Sequence, residues 1–356
     1  MRVEGIHIAG TGAYLPPSMP AERAVELGLY DREAWRSSGW TGAAVAGDLP
    51  APEMAVLAAR RALECSGHRT DEIDALFHAY GFHQGPVVWP SQHYVQRHTI
   101  GGEAPAFAVY QACNGMLGAM ELAVGYLRSE GRTAALITGA DNFSVPNIDR
   151  WSYASGPFKT NRGTILGDGA AALVLSRRPG VAELLALNSA SLPDLEEMYR
   201  GDLPLFPPEA SLGRQIQLGA RIAEYAAREP QKLTEAKEQL AKTRTMLGER
   251  TLADAGVEPG QITRVTHVFS GGPEYVRSVL GPLGVDPDKG MLELGRDLGH
   301  LGTADHVLSL DHLLRTGQVG PGDHVLMASN GASFVTCALF RITGVLGEHD
   351  TDEGGK

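Results

Sequence analysis

Cysteine is scarce in this chain. Cys65, Cys113 and Cys337 are the three among 356 residues. Three thiols make no disulfide framework, so a reducing, cytoplasmic setting is expected. Long apolar runs are missing as well. No stretch of about 18 apolar residues occurs, which excludes a membrane-spanning helix. Met1-Arg2-Val3-Glu4-Gly5 carries no signal-peptide h-region and leads into a strand. Positive charge is short: 31 Lys and Arg stand against 42 Asp and Glu, for a net charge of −11. Nucleic acid is therefore not expected as a partner. An acidic carrier protein would need a local basic patch. Lys232, Lys237, Lys242, Arg244 and Arg250 fall on one helical stretch, but Glu–Lys pairing on a solvated face explains them better. His78 and His83 have no clustered third ligand at clear spacing, so neither a metal nor another cofactor is expected.

What is present is a 43% hydrophobic chain with 44 glycines and 21 prolines, enough for one or two substantial cores with many tight turns. The most informative stretch surrounds Cys113. Ala106 to Tyr110 reads as a strand. Gln111-Ala112-Cys113-Asn114-Gly115 is a small-residue turn, and a helix with Leu117, Met120 and Ala123 on its apolar side follows. A thiol at a strand-to-helix junction sits where the positive helix end favours thiolate. Backbone N–H groups there can hold an oxyanion. Both suit a covalent acyl-enzyme. A buried, inert cysteine fits this stretch equally well.

The chain also repeats itself at an offset of 189 residues. Leu57 to Gly67 is a helix ending in a C-cap glycine, and Met246 to Gly256 is another. The strand entry Glu72 to His78 matches Gln261 to His267. Ala135 to Asp141 matches His324 to Asn330. Two related α/β halves follow, divided near residues 177–190, with largely parallel, buried sheets and a site between the halves. The offset carries Cys113 to Gly302, so Gly299-His300-Leu301-Gly302-Thr303-Ala304-Asp305 should face the cysteine. There His300 would accept a proton, and Asp305 would fix its tautomer. Alone, His300 would read as structural and Asp305 as a first-turn helix acid.

These segments resemble the β-ketoacyl-acyl-carrier-protein synthase III family. The likeness includes Ile8-Ala9-Gly10-Thr11-Gly12-Ala13-Tyr14-Leu15-Pro16, the Cys113 stretch, Gly167-Asp168-Gly169-Ala170 and Ser329-Asn330-Gly331-Ala332-Ser333-Phe334. The resemblance implies a thiolase fold: two pseudo-symmetric halves, 1–180 and 181–346, in a five-layer α/β arrangement. Residues 347–356 read as a disordered tail. It also implies an oxyanion hole from the N–H groups of Cys113 and Gly331, and a homodimer. Condensing members carry a Cys-His-Asn triad. Here Ser270 stands in the histidine's place and His300 in the asparagine's, which removes the two neutral donors that a thioester enolate needs.

That departure resembles a subgroup of synthase-III-like acyltransferases in antibiotic pathways, with Cys113, His300 and Asp305 as the matched triad. Such enzymes move an acyl group from coenzyme A or an acyl carrier protein to a hydroxyl or amine of a small natural product, such as a sugar or aminocyclitol. His78-Ala79-Tyr80-Gly81-Phe82-His83-Gln84 also looks like that subgroup, which makes His78, His83 and Gln84 acyl-pocket candidates. Asn114, Ser270 and Asn330 are polar lining candidates by the same resemblance. The region 187–230 departs most from a compact synthase and reads as a lid, an acceptor pocket or a surface insertion. Two rival readings stand: a starter-unit synthase performing decarboxylative condensation, and a non-catalytic partner subunit of a synthase pair.

Overall fold

Apolar runs that alternate with helices give nine long strands among the described residues. They are β1 (His7–Tyr14), β2 (Ile73–Tyr80), β3 (Ala106–Tyr110), β4 (Ala134–Asp141), β5 (Gly169–Ser176), β6 (Ala182–Ser191), β7 (Ile262–His267), β8 (His324–Asn330) and β9 (Phe334–Ile342). A computed structural model describes residues 1–154, 163–207, 215–330 and 333–346. The strands join in the order β3-β2-β4-β5-β1-β6-β9-β8-β7. From the middle outward, β1-β5-β4-β2 on one side mirrors β6-β9-β8-β7 on the other. Strands paired by the 189-residue offset, β2 with β7 and β4 with β8, take mirror places.

The sheet is mixed, not largely parallel as the sequence suggested. Only β2–β3, β2–β4 and β7–β8 pair in parallel. The remaining five pairings are antiparallel. The cause of the misreading is coverage. Helices shield both faces, so even antiparallel strands such as β4 and β5 are buried along their whole length and lose the polar alternation that marks a half-solvated sheet.

Four helices set the layers: α1 (Ala51–Ser66), α2 (Gly115–Leu127), α3 (Pro230–Ala255) and α4 (Asp305–Arg315). A central cluster packs Leu117 and Met120 of α2 and Leu310 of α4 between Phe77 and Ile137 of one half-sheet and Met327 and Phe340 of the other. Outside, Met54 and Ala58 of α1 cover Leu76 and Leu136. Leu247 and Leu252 of α3 cover Leu326 and Leu339. The result is helix, sheet, helices, sheet, helix. Strand periodicity divides the burial, with Ile137 facing inward and Leu136 outward. A Cβ on Gly12 of β1 would stand 2.3 Å from the Ala58 carbonyl oxygen, so glycine there lets α1 lie directly on the strand. α1 and α3 both end at left-handed glycines, Gly67 and Gly256, where the sequence placed their C-caps.

The residues that lead into α2 and α4 lie side by side, a Cβ on Gly115 standing 3.0 Å from Thr303 Cγ2. This brings Cys113 and His300 together.

Candidate active site

β3 delivers the chain to the turn before α2. Ala112 takes φ +46°, a left-handed conformation that costs a non-glycine residue roughly 1 kcal/mol. A single 3-10 turn over Ala112–Asn114 then feeds α2. This sharp reversal leaves Cys113 at the helix mouth instead of inside the helix. The opposing half supplies the imidazole. The His300 N–H donates to the Ile165 carbonyl (3.0 Å), and its own carbonyl accepts from Gly167 N–H (2.9 Å). With its backbone held at both ends, the ring reaches Cys113 with Nε2 2.9 Å from Sγ. Nδ1 lies 2.7 Å from Asp305 Oδ2.

Asp305 opens α4 and is fully buried. Besides His300 it accepts the N–H of Phe269 at Oδ2 and of Leu301 at Oδ1, both at 2.8 Å. Three donors around one carboxylate leave it no freedom to rotate. His300 is 6% exposed. Burial by itself would lower its pKa, but the charges of Cys113 and Asp305, and the bonds to both, outweigh it and hold the ring well above its usual value. The ring thus stands between sulfur and carboxylate, placed to exchange a proton with the sulfur.

One residue at this centre went unnoticed in the sequence. Asp141 closes β4, fully buried, and accepts the N–H groups of Gly81 (2.9 Å), Phe82 (2.8 Å) and Thr303 (3.1 Å). It therefore ties the loop after β2 to the turn between His300 and Asp305. Burial pushes its carboxyl up to about 7, against the pull of those bonds and of His300. The available signal was position: Asp141 ends an otherwise apolar buried strand. Gly302 depends on it. Gly302 has φ +62°, and a Cβ there would meet Asp141 Oδ2 at 2.1 Å. Gly302→Ala is expected to separate the two, lowering Tm and slowing acyl transfer together. Thermal melts read beside acyl loading check this, and an unshifted Tm would contradict it.

Cys113 and His300 open into a cavity of about 780 Å³, walled by Phe82, Tyr110, Tyr153, Tyr199, Leu218 and Arg221 among others. The last three come from the region 187–230, which thereby forms one wall of the cavity. Several sequence-derived lining candidates lie elsewhere. His78 is fully buried, bonded to Thr138 Oγ1 (2.9 Å) and Gln84 Oε1 (3.1 Å), and burial pushes it down to about 4. Gln84 is engaged with His78 and the carbonyls of Phe82 and Ala140, and His83 is exposed against the Phe82 ring. Gly81 and Phe82 face the cavity from that loop instead. β2 points His78 into the layer behind the site, which its sequence neighbours do not reveal.

Asn114 is likewise not in the cavity wall. It is buried beneath Cys113 and donates Nδ2 to the Phe334 carbonyl, linking α2 to β9. Ser270 also stands outside the wall, its hydroxyl donating to the Gly272 carbonyl at 3.1 Å. Asn330 ends β8. Gly331 and the tail 347–356 lie outside the described residues. Among the described residues no cluster of His, Cys, Asp or Glu is placed to hold a metal ion. No helix among them is long and apolar enough to cross a membrane.

Comparison with known proteins places this geometry. Residues 107–191 match the family model described as 3-oxoacyl-[acyl-carrier-protein] synthase III, and residues 252–342 match its C-terminal counterpart. A β-ketoacyl-[acyl-carrier-protein] synthase III of Neisseria meningitidis serogroup C is 26% identical over 345 residues, covering 93% of this chain and 97% of the relative. The solved structure of ChlB3, described as an acyltransferase, is 39% identical with a TM-score of 0.88, covering 96% of this chain and 98% of that one. The 3-oxoacyl-[acyl-carrier-protein] synthase III of Aquifex aeolicus VF5, at 21% identity and a TM-score of 0.74 over 94% of this chain and 99% of that one, shares the fold. With its mirror-ordered sheet and its cysteine at the mouth of a central helix, the chain belongs to the β-ketoacyl-acyl-carrier-protein synthase III family of acyl-transferring and condensing enzymes, on the thiolase fold.

Proposed function

We propose that this protein is an acyltransferase that moves an acyl group from a coenzyme A or carrier-protein thioester, through Cys113, to the hydroxyl or amine of a small natural product. One observation carries the reading: the unbroken line from Cys113 Sγ to His300 Nε2 (2.9 Å) and from His300 Nδ1 to Asp305 Oδ2 (2.7 Å). Ser270 bonds to its own loop, away from the cavity, and so offers no second donor for an enolate. The acyltransferase ChlB3 supports the same reading, and antibiotic or related secondary metabolism is the setting it suits.

The cycle balances on one proton. The Cys113 thiolate attacks the thioester carbonyl, and backbone N–H groups, that of Cys113 with that of Gly331, receive the oxyanion. The donor C–S bond breaks, and His300 hands its proton to the departing thiol. Having given up its proton, and with the sulfur's charge, the largest influence raising it, cancelled by acylation, the ring is left as a neutral base. It then takes the proton of the attacking hydroxyl or amine, the acyl–sulfur bond breaks, and the thiolate–imidazolium pair returns. Cys113→Ala should mimic the acylated charge state. The His300 ring is expected to titrate lower in that variant than in the wild type, read by NMR. An unchanged titration would sink this switch.

A homodimer is part of the proposal. β3 is an edge strand whose Phe107 is 43% exposed, apolar surface that suits a second copy. To test the function, the protein is incubated with small aliphatic, aromatic and malonyl thioesters and its intact mass is followed. A Cys113-dependent increment that an amine or alcohol discharges is expected. Failure to load any thioester would favour a non-catalytic partner subunit.

A further inference from the structure

Within the acyl-transfer reading, on which this step rests, we infer that Arg221 makes the cavity selective for a substrate bearing an anionic group, a carboxylate, apart from the reacting thioester, hydroxyl or amine.

Three observations lead there. First, charge is nearly absent from the wall. Among the described residues that line the cavity there is no Asp, Glu or Lys, and Arg221 is the one permanent charge. Second, among the described residues that arginine has no anionic partner. Among the described residues its one hydrogen bond is from Nη1 to the Tyr199 carbonyl at 3.5 Å, at the limit of a useful bond. Other arginines of the same region are paired: Arg228 with Asp202 and Arg200 with Glu196. A guanidinium presents five donors in a planar fork matched to a carboxylate. Half-buried beside Tyr199 and uncompensated, it is placed to gain an anion rather than to brace the fold. Third, its neighbours suit that role. Tyr153 and Tyr199 share the wall, and burial pushes the Tyr153 phenol up to about 12 and Tyr199 higher still. Both stay neutral and so do not repel an anion.

The segment that supplies Arg221, Tyr199 and Leu218 is the one that departs most from a compact synthase, so selectivity and chemistry reside on different parts of the chain. The carboxylate has two sources: the far end of a dicarboxylic acyl group, or the acceptor.

Binding to the Cys113→Ala protein separates the two without turnover. The donor pair is the glutaryl thioester of N-acetylcysteamine, which lacks phosphate, and its methyl ester. The acceptor pair is 4-hydroxycyclohexanecarboxylate and its methyl ester. Calorimetry is expected to show the acid of one pair binding on the order of 10-fold or more tighter than its ester, as a charge-assisted bond implies. Arg221→Met should bring that ratio close to one, and Arg221→Lys should keep part of it. If neither acid is preferred, or if the preference survives Arg221→Met, the proposal is overturned. Loading of wild-type Cys113 by any thioester, read by mass, judges the acyl-transfer reading independently of this ratio.

Discussion

Cys113→Ala protein is expected to gain no mass from any thioester that loads the wild type, with acyl transfer reduced by at least about 10⁴-fold. The size follows from chemistry. A directly attacking acceptor would have to reach the thioester carbonyl with no covalent stage, and His300 would lose the partner that sets its charge. The fold is expected to tolerate the change. Cys113 is half-buried, and its sulfur bonds to His300. Alanine removes one atom from the open cavity wall and leaves no sealed void. A melting temperature close to the wild type's beside absent loading separates loss of the nucleophile from loss of structure. Persistent loading would place the acyl group elsewhere.

Asp305→Asn is expected to cost about 10³- to 10⁴-fold in transfer. The carboxylate accepts from three donors, the His300 ring and the N–H groups of Phe269 and Leu301. Asparagine brings one acceptor oxygen and one donor group. With its amide nitrogen at the Oδ2 position, it confronts the Phe269 N–H and forces His300 into the tautomer that turns N–H toward Cys113. With the nitrogen at Oδ1 it confronts the Leu301 N–H. Either way a buried donor is orphaned, at a cost of about 1–3 kcal/mol of stability. The imidazolium also loses its compensating charge. His300 should then titrate lower than in the wild type, because Asp305 is among the groups raising it. NMR titration with single-turnover kinetics checks both. Full activity with an unshifted ring would remove Asp305 from the mechanism.

The centre was legible because it rests on local chemistry and on symmetry. A cysteine in a small-residue turn between a strand and an apolar helix can be seen in one stretch of chain. The 189-residue offset then carries that place to the His300–Asp305 segment. The wall of the cavity was less legible, because a sequence shows which residues neighbour one another but not which face of the sheet they take. His78 stands three residues before Gly81, yet β2 buries the one in the layer behind the site and the turn brings the other to the cavity. Asp141 escaped notice because its partners Gly81 and Thr303 lie 60 and 162 positions away and are backbone groups, which carry no residue signature. Strand direction was misread for a related reason: full coverage by helices erases the alternation that distinguishes antiparallel from parallel pairing.

The central claim, acyl transfer to oxygen or nitrogen without carbon–carbon bond formation, is tested most directly by a chase. Isolated Cys113 acyl-enzyme is mixed with candidate alcohols and amines in one arm and with a malonyl thioester in the other, while intact mass and released carbon dioxide are followed. The expected result is discharge of the acyl group to an ester or amide in the first arm, with no carbon dioxide in the second. Discharge on the malonyl thioester alone, with carbon dioxide released and a ketone formed, would contradict it.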